Sequence, residues 1–361
     1  MKKKYLGAVL MIGVGVGATA HAQSSLTLYG LLDTGVLFAN HSKVAPGQSG
    51  NQWALGTGNR QNSRWGFIGN EDLGGGLAAI FNLESGIAMN NGALQQGGRL
   101  FGRMAYVGLQ SREYGALMLG RQQAPMYKFG LALDPLAYSS FGFIAQDPQF
   151  VGRADNSVAY QGKRGPFEVN VLYSFGYESV SATTPVAGAY RVGKEVDVGA
   201  RYVDGPANLT FAFEQRQGTA IASADLDERR YLIGSSYKVQ KATLYAGYEL
   251  LLNNVPASMA LSPSQNMFYG GIRYQATAAL DFAAAGYYHQ FRALGDHALS
   301  LGLNADYWLS KRTSVYTNMQ YVINGHNAAL SATGLGGPTA QTTVQTGANQ
   351  LAFTVGILHK F

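Results

Sequence analysis

The chain closes on Leu351-Ala352-Phe353-Thr354-Val355-Gly356-Ile357-Leu358-His359-Lys360-Phe361. Leu351, Phe353, Val355, Ile357 and Phe361 fall on one side of an extended backbone, and Gln350, Thr354, Gly356 and Lys360 on the other. This period of two predicts a strand with one apolar face. A strand whose greasy face meets lipid cannot leave an open edge, because backbone groups in hydrocarbon have no water to pair with. The last strand must therefore pair with the first, which constrains the chain to a closed barrel.

The same alternation recurs along the sequence. Val196, Val198, Ala200 and Tyr202 oppose Asp197, Gly199 and Arg201; Leu209, Phe211 and Phe213 oppose Thr210, Ala212 and Glu214; Leu299, Leu301, Leu303, Ala305 and Tyr307 oppose Ser300, Gly302, Asn304 and Asp306. Short turns are expected near 70–76, 111–115, 163–166, 204–207, 238–241, 276–279 and 309–312. Longer connections are expected near 39–60, 85–99, 121–152, 177–194, 215–228, 252–266, 291–297 and 324–349. Together they imply an all-β fold, a 16-stranded antiparallel transmembrane β-barrel with short periplasmic turns, longer outer loops and both termini on the periplasmic side. A barrel that wide cannot be filled by side chains, so its interior is expected to be water and its apolar face to look outward. Tyr237, Tyr245, Tyr274, Tyr287, Tyr288, Tyr307, Trp308, Tyr316, Tyr321 and Phe361 are expected to form interfacial girdles.

The amino-terminal end indicates export. Met1-Lys2-Lys3-Lys4 is a charged start, Leu6 to Ala18 an apolar run, and Ala20-His21-Ala22 a small-x-small site, so cleavage is expected between Ala22 and Gln23. Residues 1–22 are then a signal peptide and 23–361 the barrel. Three of the 27 Lys and Arg lie in the removed segment, leaving a balance of +3 against 21 Asp and Glu. That is too mild, and without any basic tract, to suggest nucleic acid. The chain has no cysteine, so a closed hydrogen-bonded cylinder rather than disulfides must hold the exported protein.

The segment 121–152 carries Phe129, Leu131, Leu133, Leu136, Phe141, Phe143 and Ile144, too apolar to lie in solvent. Folded inward, this long third loop would narrow the lumen to an eyelet; a cap or an oligomer contact is the alternative. Trp65 and Phe67 share a face, so Arg64 points to water. Arg103 is placed inward because arginine facing lipid costs several kcal/mol. Arg153 opens the strand where the long loop rejoins the wall, and Arg60, Arg99 and Arg121 are outlying members of the group. Such a cluster would attract anions, unless acids such as Asp72, Glu84 or Asp155 pair with it. Asp134 and Asp147 either face the arginines across the constriction or simply form Asp-Pro turns.

Ser25-Leu26-Thr27-Leu28-Tyr29-Gly30-Leu31-Leu32-Asp33, Ser63-Arg64-Trp65-Gly66-Phe67-Ile68-Gly69-Asn70-Glu71-Asp72-Leu73-Gly74-Gly75-Gly76, Arg153-Ala154-Asp155-Asn156-Ser157-Val158-Ala159-Tyr160 and the terminal Phe361 together resemble the general porins of β-proteobacteria. The resemblance implies a homotrimer in outer-membrane lipid, with the third loop in each lumen and Arg64, Arg103 and Arg153 at the positions of an anion-selecting cluster. It also implies that Phe361 is an assembly signal read by the outer-membrane insertion machinery, and that Gly66, Gly69, Gly74 to Gly76, Ala78 and Ala79 lie on the flatter strands a trimer would bury. One departure is Ile68, where many relatives carry lysine.

The function expected is passive diffusion of small hydrophilic solutes and anions. A substrate-specific channel and a plugged adhesive barrel are the alternatives. An enzyme would need a convergent nucleophile and base. His41, His289, His297, His326 and His359 mark no such set, and no spacing suggests a metal or cofactor.

Overall fold

The strands hydrogen-bond in sequence order around a closed ring, because the alternating segments have one apolar side each and no edge that lipid could accept. The computed structural model describes residues 24–137, 139–179, 182, 184–254, 264–334 and 341–361. The expected signal segment and its Ala22–Gln23 cleavage site lie outside them. Seventeen strand segments form one antiparallel sheet. They are β1 (Ser24–Ala45), β2 (Gln48–Thr57), β3 (Arg64–Gly74), β4 (Leu77–Gly86), β5 (Met104–Ser111), β6 (Gly115–Gln123), β7 (Arg153–Arg164), β8 (Phe167–Ser174) and β9 (Glu195–Asp204). There follow β10 (Ala207–Gln217), β11 (Asp227–Val239), β12 (Ala242–Asn253), β13 (Gln265–Gln275), β14 (Leu280–Phe291), β15 (Asp296–Trp308), β16 (Thr313–Asn324) and β17 (Gln350–Lys360).

β2 and β3 are one stave interrupted at 58–63: β2 pairs with the second half of β1, from Thr34↔Thr57, and β3 with its first half, up to Leu31↔Arg64. Counted so, the barrel has 16 strands. β17 closes it on β1 from Leu31↔Lys360 to Ala39↔Ala352.

Two of the long connections expected from sequence are tight. Residues 39–60 are mostly a hairpin that turns between Ala45 and Gln48, and 291–297 shrinks to a turn between Phe291 and Asp296. Polar residues there suggested loops, yet a strand that projects past lipid can be polar on both faces.

Leu209, Phe211, Leu301, Leu303, Val355 and Ile357 are exposed on the outside, while Thr210, Glu214, Ser300, Asn304, Asp306 and Thr354 are buried on the inside. The aromatic girdle is smaller than expected. Tyr237, Tyr274, Tyr288, Tyr307 and Tyr321 are exposed, but Tyr287 and Tyr316 are buried. Tyr287 precedes Tyr288 directly, so in a strand the two must face opposite sides. These two hydroxyls each find an acid: Tyr287 Oη donates to Asp134 at 3.1 Å, and Tyr316 Oη donates to Asp33.

Candidate functional site

The connection from β6 to β7 folds as α1 (Pro125–Leu131), α2 (Phe143–Gln146) and a 3₁₀ turn at Pro148–Val151. Pro125 occupies the first turn of α1, where its missing N–H costs nothing. No helix stood out in the sequence, because these run for only about one to two turns, too short to show a period. The connection's Met126, Phe129, Leu133, Leu136, Phe143, Ile144 and Phe150 are buried in one cluster with Ala212, Leu232, Met267, Tyr269, Ala283, Ala285 and Tyr287. Those partners lie on β10, β11, β13 and β14, so the wall is apolar where this segment packs against it. At Gly199 a Cβ would stand 2.2 Å from the Phe129 ring; glycine is what lets the aromatic seat flat on β9.

Polar contacts fix the segment at both ends. Met126 N donates to Asp197 Oδ2 at 3.1 Å. Asp134 accepts from the backbone N–H of Leu136 and Phe143 at 2.9 and 3.1 Å. Asp147 pairs with the fully buried Arg230 at 3.0 Å and accepts from Gln149 N at 2.8 Å. His289 Nε2 hydrogen-bonds Gln146 Oε1 at 2.9 Å. Asp134 and Asp147 are thus buried at 2% and 0% exposure and engaged in holding the segment. The interruption of the second stave contributes as well. Its Arg60 donates to the carbonyls of Leu136 and Ala137 at 3.4 and 3.3 Å and forms a bidentate pair with Asp306.

Arg64, Arg103 and Arg153 come together. Arg103 Nε donates to Glu84 Oε1 at 2.6 Å, and Arg64 Nε stands 3.4 Å from Glu84 Oε2. Arg153 Nε donates to the Arg103 carbonyl at 3.1 Å, and its guanidinium lies over the Tyr127 ring of α1. Tyr29 Oη completes the carboxylate's shell at 2.8 Å. Two cations thus share one anion, and a third, Arg153, is held beside them by a backbone carbonyl and an aromatic ring. They are not equivalent: Arg103 and Glu84 side chains are 1% and 3% exposed, whereas Arg64 is 26% exposed. Ile68, on the same inner parity as Arg64, is exposed and adds no charge. Arg99 and Arg121 do not join the group; both converge on Asp155, at 3.2 and 2.6 Å.

A second charged group escaped the sequence reading. Arg230 binds Asp147, Glu214 and Glu228, and Arg216 lies 3.2 Å from Glu195. The signal was present in the charges of Glu214-Gln215-Arg216 and Glu228-Arg229-Arg230, spaced by two on the inner parity.

A closed barrel, apolar outside, with charged groups gathered on its inner wall defines a membrane-spanning channel protein. The chain belongs to the Gram-negative porin family, whose match covers residues 8–327. It is 30% identical to outer membrane porin protein 32 of Delftia acidovorans over the whole of both chains. It is 34% identical to an outer membrane porin protein of Bordetella pertussis over 69% of each. Among solved structures it is similar to the anion-selective porin from Comamonas acidovorans, with a TM-score of 0.77 and 25% identity, covering 94% of this chain and 100% of that one. The protein is therefore an outer-membrane porin, a passive channel and not an enzyme.

Proposed function

We propose that the 124–152 segment lies folded within the lumen as an eyelet and that the pore prefers small anions. The observation that carries the preference is the gathering of three arginines around one carboxylate: Arg64 and Arg103 pair with Glu84, and Arg153 stands beside them on the Arg103 carbonyl with no acid of its own among its hydrogen-bond partners in the described residues. Two positive charges remain uncompensated in a site walled by protein, where field lines are focused. Arg64, the open member, meets the permeating ion, while buried Arg103 and Arg153 add their charge to the field behind it. Asp134 and Asp147 define the constriction indirectly, by fixing the loop that forms it. The resemblance to an anion-selective porin supports the same reading.

Planar-bilayer reversal potentials across a salt gradient test it, comparing wild type with Arg64→Ala/Arg153→Ala. Anion preference that collapses in the variant is expected; unchanged selectivity would discard the arginine eyelet while leaving the porin.

We further propose a homotrimer with both termini periplasmic, a cleaved signal peptide ending at Ala22, and Phe361 as the residue read by the assembly machinery. Gly69 lies opposite Phe81 and Ala79 opposite Leu109 on outward parity, which suits a close contact between subunits. Gly66 shares the inner parity of Arg64 and is left out of that surface.

A further inference from the structure

Three carboxylates on neighbouring staves are gathered behind α1. Asp197 on β9 stands opposite Glu214 on β10, and Glu195 is one inward position away, opposite Arg216. One oxygen from each of Glu195, Asp197 and Glu214 lies within 4.8 Å of the others, and all three residues are buried.

Their known partners do not satisfy them. Asp197 Oδ2 takes the Met126 N–H and Glu214 Oε1 takes Arg230 Nη1. Asp197 Oδ1 and Glu214 Oε2 are buried with no hydrogen-bond partner, as are both oxygens of Glu249, which is fully buried on β12. Among the described residues the ion-pair partners of Asp147, Glu195, Asp197, Glu214, Glu228 and Glu249 are Arg216 and Arg230, an excess of four negative charges over those two if all ionise. Buried carboxylates left without counter-charge are strongly unfavourable. Oxygen-only donors match a hard cation rather than zinc or copper. With calcium–oxygen distances of about 2.3–2.6 Å, two donors to one ion stand at most about 5 Å apart, and the three oxygens here fall within that limit.

We propose that Glu195, Asp197 and Glu214 bind one divalent cation, calcium in preference to magnesium, on the barrel wall beneath α1. Asp197 would then join the ion to the start of the 124–152 segment, since its other oxygen already holds Met126 N. The ion braces that segment on β9 and β10.

The test uses full-length mature protein refolded from inclusion bodies, free of lipopolysaccharide whose phosphates take up divalent ions. After chelation, calcium chloride and magnesium chloride are titrated calorimetrically at neutral pH into wild type, Asp197→Asn and Glu214→Gln. Folding of each is checked by heat-modifiable mobility on electrophoresis. One saturable calcium site per chain in wild type, raising the melting temperature and lost in the folded variants, is the expected result. Folded wild type that takes up no calcium would overturn the proposal and leave protons as the neutralising species. Uptake unchanged in either folded variant would also overturn it, by placing the ion elsewhere.

Discussion

Arg64 and Arg103 stand on the same carboxylate, yet substitution should separate them. Arg103 and Glu84 are buried together. Breaking a buried ion pair costs up to about 3–5 kcal/mol when the remaining charge is left uncompensated; that is an upper bound here, because Arg64 and Tyr29 still reach Glu84. Arg64 is partly open to water, and its 3.4 Å approach to Glu84 is a looser one; partly exposed pairs contribute about 1 kcal/mol or less. Arg103→Ala is therefore expected to lower the melting temperature of the folded barrel markedly. Arg64→Ala should leave it within a few degrees and instead shift the reversal potential toward cations. Thermal unfolding and bilayer recording on the two variants decide this, and equal destabilisation would show that Arg64 is also structural. The chemistry is in the guanidinium, but the role is set by how much water reaches it.

At the scale of elements, the strands were legible in the sequence because lipid enforces strict alternation; Leu299 to Tyr307 carries its inward and outward sides without exception. The inner wall was less legible. Water, a packed helix and an ion pair can all stand on the same parity, so Ala212, Leu232 and Met267 do not announce that they receive Phe129, Leu133 and Phe143. Asp134 and Asp147 could be read as turn formers or as field-setting acids, and only their partners Tyr287 and Arg230 show what they hold. Arg64 was legible through strand parity, Arg103 through the cost of arginine in lipid and Arg153 through its place where the long loop rejoins the wall, but the sharing of Glu84 by Arg64 and Arg103 required the register of β3, β4 and β5. The docking of the segment makes a prediction of its own. Phe143 is fully buried among Phe150, Tyr269 and Tyr287. Truncating a buried phenylalanine costs about 3–5 kcal/mol, here charged to the segment and not to the sheet. Phe143→Ala should leave heat-modifiable mobility unchanged while increasing protease cleavage within 124–152 and open-channel current noise. A variant that loses the whole barrel would mean that the segment and the sheet fold as one unit.

For the whole molecule, everything depends on the seam where β17 meets β1. Backbone bonds continue there to the last residue, with Gly30 N donating to Phe361 O and Phe361 N to Gly30 O, each at 3.1 Å. Midway along the seam Gly35 lies opposite Gly356. A Cβ at Gly35 would fall 2.6 Å from the Val355 carbonyl oxygen and 2.8 Å from Gly356 Cα. Both are backbone atoms, which cannot swing aside as a side chain can. A larger residue there must push the first and last strands apart, and in a closed barrel that strain is not confined to two strands. Each opened backbone pair in hydrocarbon costs several kcal/mol, so a local wedge is converted into failure of closure. Gly35→Val is expected to prevent formation of the heat-modifiable species during refolding into detergent or lipid. Gly50→Val, which is open to within 3.7 Å of Val44 on the projecting hairpin, should fold normally. If Gly35→Val reaches the folded state in the same yield, the seam tolerates separation and closure is secured elsewhere along the ring.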